Sequence, residues 1–289
     1  SVALHGYRSY PMGDIFAQRT TTQTNRFINS LTTHYYPLSW LTARANLGLD
    51  YSAVNDVFLQ EYNQGPYGDT FRNSSTNGDA ESSRGENDVY TVDGGATATN
   101  SLGKFSSKLS AGVQYFRNYR SVTRGDGRNL PPGGTTTSAG AIQTTSQTTT
   151  ESINLGTYGE EVLSYADRFF LTGGLRYDAN SAFGQSFSGV YYPKIGASWL
   201  ISDESWFPRI DALNSFRLRG TYGASGVQPG TTAALRYYTP HGANIAGVEQ
   251  SSVSLGALGN PNLKPEYSGE FETGFDMTSV SGRTSFEFT

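Results

Sequence analysis

Apolar and polar side chains alternate with a period of two residues along several stretches of this chain. In the clearest run, residues 40–52, every second side chain from Leu41 to Tyr51 is apolar or aromatic. The positions between them are polar or glycine and include Arg44 and Asp50. Because successive side chains of a β-strand point to opposite faces of the sheet, this pattern predicts a strand with one apolar face and one polar face.

The same alternation recurs in residues 168–178, 191–199 and 216–222. An aliphatic face with aromatic residues near its ends, on runs of about 9 to 11 residues, matches tilted strands that cross a bilayer. A soluble sandwich also alternates. In a membrane, however, a slip of one residue would place Arg176 or Arg219 in hydrocarbon at about 2 to 4 kcal/mol each, so the register would be strongly specified.

The complete pattern predicts about ten strands, with short turns and long polar loops in alternation. Long loops are predicted at 54–87, 121–150 and 226–264, and the second, rich in Gly, Thr and Ser, is predicted to be mobile. The polar connection at 201–214 is predicted to contain a helical turn. Short turns at one end and long loops at the other are typical of outer-membrane barrels. The predicted strands are 25–36, 40–52, 88–99, 104–119, 152–165, 168–178, 191–199, 216–222, 266–277 and 283–289.

Composition narrows the function classes. The 289 residues include no cysteine, which excludes a disulfide framework, thiol catalysis and a cysteine-based zinc site. A net charge of -4 disfavours a nucleic-acid partner, whose phosphates require basic patches. The sequence has no run of 18 apolar residues, so it predicts no transmembrane helix. A mean hydropathy of -0.46 is compatible with a barrel, since only alternate strand residues face lipid.

Four ordered sequence blocks carry a family resemblance. They read DRFFLT followed by LRYD at 167–178, YPKIGASW followed by SDE at 192–204, LRGTYG at 218–223, and GNPNLKPE at 259–266. Together they resemble the C-terminal half of the barrel in SusC/RagA-type TonB-dependent transporters. Four blocks in order are more specific than one short motif. The N-terminal half is similar to this family through its strand pattern and residues 36–50.

The resemblance implies an all-β fold, an antiparallel transmembrane β-barrel segment of about ten up-and-down strands from a barrel of about 22. We therefore expect an open, curved sheet with unpaired edge strands. Residues 1–289 would form part of the barrel domain, with the plug domain and the barrel ends outside this chain. The implied location is the bacterial outer membrane, and the implied protein is not an enzyme and carries no cofactor.

The resemblance also implies energised import of an oligosaccharide or a peptide. The implied partners are a SusD-like surface lipoprotein, the TonB complex and outer-membrane lipid. Two alternatives stay open at this point. A passive porin or barrel adhesin would lack energy coupling, and a secreted all-β carbohydrate-active enzyme would need paired carboxylates across a cleft.

Charged residues on the polar strand faces are the candidate functional residues, because these faces should line the barrel interior. One interpretation is that they contact a plug domain or a passing solute. The other is that they pair with one another on a solvated wall. The candidates are Arg44, Asp50, Arg176, Asp178, Arg217, Arg219, Glu270 and Glu272, with Asp276 on the same face.

Other polar residues give weaker signals. The three histidines, His5, His34 and His241, lack the spacing of a metal site. Residues 223–226 lack the spacing of a nucleophile elbow and are interpreted as a strand exit. A calcium site in the first long loop is conceivable, but a solvated acidic loop is favoured; its carboxylates are Asp79, Glu81, Glu86 and Asp88.

Two neighbouring carboxylates conflict with the membrane interpretation. Glu160 and Glu161 are adjacent in a predicted strand, so one of them should face lipid. A β-bulge, a position near the interface or a protonated carboxyl group would each resolve the conflict.

Overall fold

The fold consists almost entirely of β-strands. The computed structural model describes residues 17–64, 77–183, 189–230, 232–279 and 282–289. Short 3₁₀ turns occupy Thr137–Ala139 and Ile201–Asp203, the second within the connection where a helical turn is predicted. None of the helices in these ranges is long and apolar enough to cross a membrane. The strands are β1 (Gln18–Leu38), β2 (Leu41–Gln60), β3 (Asp79–Leu102), β4 (Phe105–Arg128), β5 (Ile142–Tyr165), β6 (Phe169–Asn180), β7 (Val190–Leu200), β8 (Leu213–Ser225), β9 (Tyr237–Ile245), β10 (Val248–Ala257), β11 (Ser268–Ser279) and β12 (Thr284–Phe288).

Ten of these strands form one sheet whose strand order follows chain order. The strand order in the sheet is β1 to β8, then β11, then β12, while β9 and β10 pair only with each other. The pairings are antiparallel, and β1 and β12 are the two ends of the order, as expected for an open sheet. The predicted fold class is therefore confirmed, and each of the ten predicted strands has its counterpart.

The predicted long loops are the main error. β2 continues to Gln60 and β3 begins at Asp79, so the predicted loop at 54–87 is mostly strand outside residues 65–76, which the structure does not describe. The predicted mobile segment at 121–150 is wrong in the same way, because β4 ends at Arg128 and β5 begins at Ile142. Paired backbone groups, polar cross-strand contacts and a small apolar cluster at Leu59 and Ala80 stabilise these strand ends.

The third predicted loop contains the β9–β10 hairpin. Ile245 pairs with Val248, and Ala246 and Gly247 form the turn with φ values of 53° and 82°. Two left-handed residues between two strands are typical of a type I′ turn, whose twist matches that of the strands. The sequence signal, Ile-Ala-Gly-Val between alternating residues, was too short to distinguish the hairpin from a loop.

Contacts divide the chain into two compact units. The first comprises residues 1–29, 49–89 and 118–151, and the second comprises the remainder. A small apolar cluster of Leu59, Ala80 and Leu130, with Ala139 against it, lies in the first unit. The second unit contains all of β6 to β12 and the short turns after β1, β3 and β5. The expectation that the chain is part of one barrel domain stays a prediction.

The turn between β5 and β6 gives a first testable prediction. Ala166 and Asp167 have φ values of 53° and 55°, and the N–H of Arg168 donates to the carbonyl oxygen of Tyr165 at 3.1 Å. A left-handed alanine is strained, and glycine removes that strain. We expect Ala166→Gly to raise the free energy of unfolding by about 0.5 to 1 kcal/mol, measured by urea unfolding of the complete receptor in micelles. Asp167→Gly should gain less, because Asp tolerates this conformation better; an equal gain would contradict the explanation.

Candidate functional site

The strand register assigns side chains to two faces of the sheet in the second unit. Residues directly opposite each other in antiparallel strands share a face. Leu171 of β6 is paired with Leu163 of β5 and with Ala197 of β7. On the opposite face, Arg176 is paired with Tyr158 and with Tyr192. The predicted alternation in β6 and β7 is therefore present across neighbouring strands.

The apolar face is exposed rather than packed against a second layer. The exposed fractions of Leu171, Leu175 and Leu218 are 38%, 49% and 41%. In the described ranges the strands form this sheet and the β9–β10 hairpin only. An exposed contiguous apolar face of this kind indicates contact with an apolar medium. The core of a water-soluble sandwich would instead bury these leucines between two sheets.

Aromatic rings flank this apolar face at two levels of the strands. Near the short turns, Phe105 contacts Tyr165 with a centroid distance of 4.8 Å, and near the opposite ends Tyr177 contacts Tyr191 at 4.9 Å. From Tyr165 to the level of Tyr177 the strands rise roughly 27 Å, which a tilt of 35–45° reduces to roughly 20 Å of height. Aromatic girdles bound the lipid-facing band of outer-membrane barrels at a comparable spacing.

The polar face of the sheet carries paired charges on β6, β8 and their neighbours in the second unit. Arg176 Nε lies 2.8 Å from Asp178 Oδ1, and its Nη2 donates to Gln114 Oε1 at 3.0 Å. Arg219 Nη2 donates to Glu287 Oε1 at 2.6 Å. These contacts support the interpretation in which the wall charges satisfy one another.

The remaining candidate residues lie in different surroundings. Arg44 Nη2 bonds Asp93 Oδ1 at 2.9 Å in the second unit, whereas Asp50 accepts a hydrogen bond from Arg26 at 2.6 Å in the first. A groove of about 650 Å³ on the polar face brings four of the candidates together, although their roles in solute or plug contact stay predictions. Its charged residues are Lys194, Arg217, Arg219, Glu270, Glu272 and Asp276.

Glycines let long side chains lie flat against the polar face. A Cβ atom at Gly174 would be 2.7 Å from Cε of Lys194, which crosses this glycine to reach Glu160. A Cβ at Gly156 would collide with the guanidinium of Arg176. The sequence analysis missed this arrangement, although the signal was present as glycines at inward positions of neighbouring strands.

The two adjacent carboxylates are on opposite faces, as the alternation requires. Glu160 is opposite Gly174 on the polar face and pairs with Lys194. Glu161 is opposite Gly173 on the apolar face, and Ser107 Oγ donates to its Oε1 at 2.5 Å. The register of β5 and β6 is continuous here, so a β-bulge does not resolve the conflict. Instead, the hydrogen bond from Ser107 on the neighbouring strand lowers the free-energy cost of placing the Glu161 carboxyl group on the apolar face.

A second prediction follows from Glu161. We expect Glu161→Leu to raise the free energy of unfolding in lipid by about 1 to 2 kcal/mol, because acidic residues on the lipid face are destabilising, though less so than Arg or Lys. Glu160→Leu is the matched control and should give no gain, since it removes the partner of Lys194. Urea unfolding of the complete receptor in liposomes measures both changes. A loss of stability in Glu161→Leu would contradict the assignment of its face.

In the first unit, charged side chains on neighbouring strands form ion pairs with one another. Arg124 Nη2 lies 2.7 Å from Glu81 Oε2, and Arg124 Nε lies 3.4 Å from Asp126 Oδ1. These two carboxylates raise the pKa of the Arg124 guanidinium, mainly through charge attraction. The carboxylates that were interpreted as part of a solvated acidic loop, with calcium as the alternative, belong to β3 instead of a loop. Among the described residues, no cluster has three or more side chains placed to hold a metal ion.

The described histidines and residues 223–226, which gave the other weak signals, lie in strands or at a strand end. His34 stacks near Tyr36 at a centroid distance of 6.4 Å, and His241 lies in the β9–β10 hairpin; His5 falls outside the described residues. β8 ends at Ser225 and is followed by a chain segment without a helix up to Gly230, so residues 223–226 form a strand exit.

Comparison with known proteins agrees with this geometry. The family model "TonB dependent receptor-like, beta-barrel" matches residues 3–289. Two curated proteins of Formosa agariphila are similar: TonB-dependent receptor P26 is 29% identical over 133 residues, which is 45% of this chain and 13% of that protein. TonB-dependent receptor P39 is 27% identical over 123 residues, which is 41% of this chain and 11% of that protein.

Solved structures have the same fold at low sequence identity. The RagAB peptide transporter matches with a TM-score of 0.85 at 16% identity, over 95% of this chain and 30% of that chain. The siderophore receptor PiuA of Acinetobacter baumannii matches with a TM-score of 0.52 at 11% identity, over 93% of this chain and 40% of that chain. This chain therefore spans a minor part of the proteins that it matches.

These findings confirm the relationship inferred from the four sequence blocks, including the likeness to RagA-type receptors. The family consists of receptors rather than enzymes, which excludes the carbohydrate-active enzyme. TonB-dependent receptor barrels reside in the bacterial outer membrane, the predicted location. With an exposed apolar face, a charged polar face and a family model matched along nearly its whole length, the chain belongs to the TonB dependent receptor-like β-barrel family.

Proposed function

We propose that the complete protein is a TonB-dependent importer of oligosaccharides or peptides, and that this chain forms part of its barrel wall. The observation that carries the proposal is the division between the exposed apolar face and the ion-paired polar face within one sheet. One face fits lipid, and the other fits a water-filled interior. The likeness to the RagAB peptide transporter supports import as the activity.

The ion pairs on the polar face are compatible with a barrel wall that surrounds a movable plug domain. A barrel of about 22 strands has a wide lumen that must be plugged. Because Arg176 and Arg219 already have carboxylate partners on the wall, displacement of a plug would leave no unpaired charge at these two positions. The wall can therefore keep its structure while the lumen opens and closes.

The proposed partners follow from this mechanism. Energy must reach the outer membrane from elsewhere, and the TonB complex is the proposed source. A SusD-like surface lipoprotein is the proposed partner that delivers the solute. Purification of the complete receptor from outer membranes, with a tag on the receptor, should recover such a lipoprotein in a fixed ratio; recovery of the receptor alone would remove it from the proposal.

Uptake by intact cells tests the activity. A strain with the receptor gene and a matched deletion strain are supplied with radiolabelled oligosaccharide and peptide mixtures, with and without a proton ionophore. We expect receptor-dependent uptake that the ionophore reduces at least about tenfold, since energised import needs the proton gradient. Receptor-dependent uptake that persists at the same rate with ionophore would instead establish a passive porin, and no receptor-dependent uptake would favour an adhesin.

A further inference from the structure

One tyrosine ring lies flat on the polar face of the second unit. A Cβ atom at Gly112 would be 2.6 Å from Cζ of Tyr158, and a Cβ at Gly95 would be 3.0 Å from its Oη. The ring of Tyr158 therefore extends from β5 across β4 towards β3, over two glycines. A side chain at Gly112 would keep the ring from resting against the backbone, and one at Gly95 would force its hydroxyl group to shift. One ring face is covered by the sheet, and Tyr158 is only half-buried.

A recess with many hydrogen-bonding groups adjoins this ring. Arg176 and Tyr192 continue the same cross-strand row, and the recess measures about 390 Å³. Hydroxyl, carboxylate, guanidinium and ammonium groups all contribute to its lining: Ser110, Tyr158, Glu160, Arg176, Tyr192 and Lys194. Recesses of this size commonly hold small ligands.

The charges of the recess are balanced. Arg176 pairs with Asp178, and Lys194 pairs with Glu160, so each cation has a carboxylate partner. A strongly charged ligand would have to displace one of these partners. The balance favours an uncharged ligand that accepts and donates several hydrogen bonds.

We propose that this recess is a binding site for an uncharged oligosaccharide, with Tyr158 as its stacking platform. The C–H groups on one face of a pyranose ring pack against a flat aromatic ring, while its hydroxyl groups bond to planar carboxylate, amide and guanidinium groups. Tyr158, with Arg176 and Glu160 beside it, supplies both requirements. This inference rests on the proposed function, since it selects one of the two solute classes.

A peptide fits the recess less well. An extended peptide gains most affinity by adding to a free sheet edge. Strands β4 to β8 each have a neighbour on both sides, so none offers such an edge. The paired charges also leave no free partner for a peptide terminus.

The position of Tyr158 along its strand places the platform where an incoming solute would contact it early. Thr157, the residue before Tyr158, is opposite Tyr177, which belongs to the aromatic girdle distant from the short turns. Outer-membrane barrels have their short turns on the periplasmic side and their long loops outside. An oligosaccharide that enters from outside would therefore reach Tyr158 before the middle of the wall.

Calorimetry with the purified complete receptor tests the proposal. The probes are maltotetraose, cellotetraose, laminaritetraose and fully N-acetylated chitotetraose, all uncharged, with tetra-alanine as the peptide. We expect one or more oligosaccharides to bind, Tyr158→Ala to weaken that binding at least tenfold, and Tyr158→Phe to keep it within about twofold. Gly112→Val should weaken it as Tyr158→Ala does, because the added side chain pushes the ring off the wall. Tyr177→Ala, which removes a ring from the opposite face, is the matched control and should bind normally.

Three results would overturn the proposal: no oligosaccharide binds, Tyr158→Ala binds as tightly as the unaltered receptor, or only tetra-alanine binds. The uptake experiment separates this failure from failure of the proposed function. If uptake is ionophore-sensitive but proceeds equally well in Tyr158→Ala, the binding site is refuted and the importer function stands. Oligosaccharide binding that depends on Tyr158, together with uptake insensitive to ionophore, would support the site and refute energised import.

Discussion

Replacing Leu171 by arginine is expected to lower the free energy of unfolding of the receptor in lipid by about 1 to 3 kcal/mol, between the cost at the bilayer midplane and the cost at its interface. Leu171 is the third residue of β6, on the apolar face between the two aromatic levels and nearer the one beside the short turns, with Leu163 and Ala197 as its cross-strand neighbours. Its side chain is 38% exposed to the medium that surrounds this face. Arginine there would carry a charge into hydrocarbon, since it cannot lose its proton.

Thr172→Arg provides the matched control one position along the same strand. Thr172 is opposite Gly196 on the polar face and lines the charged groove. A new arginine there remains in water, so we expect a change of less than about 1 kcal/mol. Both variants are unfolded with urea in liposomes and followed by tryptophan fluorescence. Equal losses in the two variants would contradict the assignment of lipid to the apolar face.

The pattern of alternating residues predicted the sheet in β6, β7, β8 and β11 because two different solvents act on those strands. Lipid on one face and water on the other leave a strict period of two in the sequence. Where both faces are polar, the period disappears although the backbone still pairs. Residues 142–151 are an example: they are rich in Thr and Gln, were interpreted as a mobile loop, and belong to β5.

The threonines of that segment favour a strand, although its low-complexity composition is typical of a loop. β-branched side chains favour strands, and the segment reads IQTTSQTTTE, with five threonines in ten residues. Low sequence complexity suggested disorder, but this segment continues β5, whose neighbour on that side of the sheet is β4. The sequence alone does not reveal this pairing, because the polar β4 and β5 segments carry no alternation that would fix their register.

The face of the charged wall residues could be predicted from the sequence, whereas most of their partners could not, and their roles toward a plug or a solute stay predictions. Alternation placed Arg44, Arg176 and Arg219 on the polar face, and the structure gives each of them a carboxylate. The partners Asp93 and Glu287 were not identified, because cross-strand proximity depends on register. The same reason explains why the platform at Tyr158 was missed: it requires glycines on two other strands.

Replacing Gly78 by alanine is expected to destabilise the small apolar cluster of the first unit by about 3 kcal/mol. Gly78 has a φ of 79°, and an added Cβ would lie 2.9 Å from Cβ of Leu130 and 3.0 Å from the backbone nitrogen of Tyr62. The left-handed conformation costs a residue with a side chain about 1 to 2 kcal/mol. Overpacking against Leu130 adds about 1 to 3 kcal/mol, because the backbone on the other side cannot retreat.

Hydrogen exchange at Asn129 measures this effect locally. The N–H of Asn129 donates to the carbonyl oxygen of Gly78 at 3.1 Å, so its protection reports on the contact between these two segments. A loss of about 3 kcal/mol corresponds to a decrease in protection of roughly 100-fold, if exchange occurs through local opening. Gly103→Ala is the matched control: Gly103 has a φ of 62°, but no described atom lies within 4 Å of the added Cβ. It carries the backbone strain without the collision and should leave exchange at Asn129 unchanged. If Gly78→Ala also leaves Asn129 protected, then the cluster tolerates the side chain, and close packing at Gly78 is not what holds these segments together.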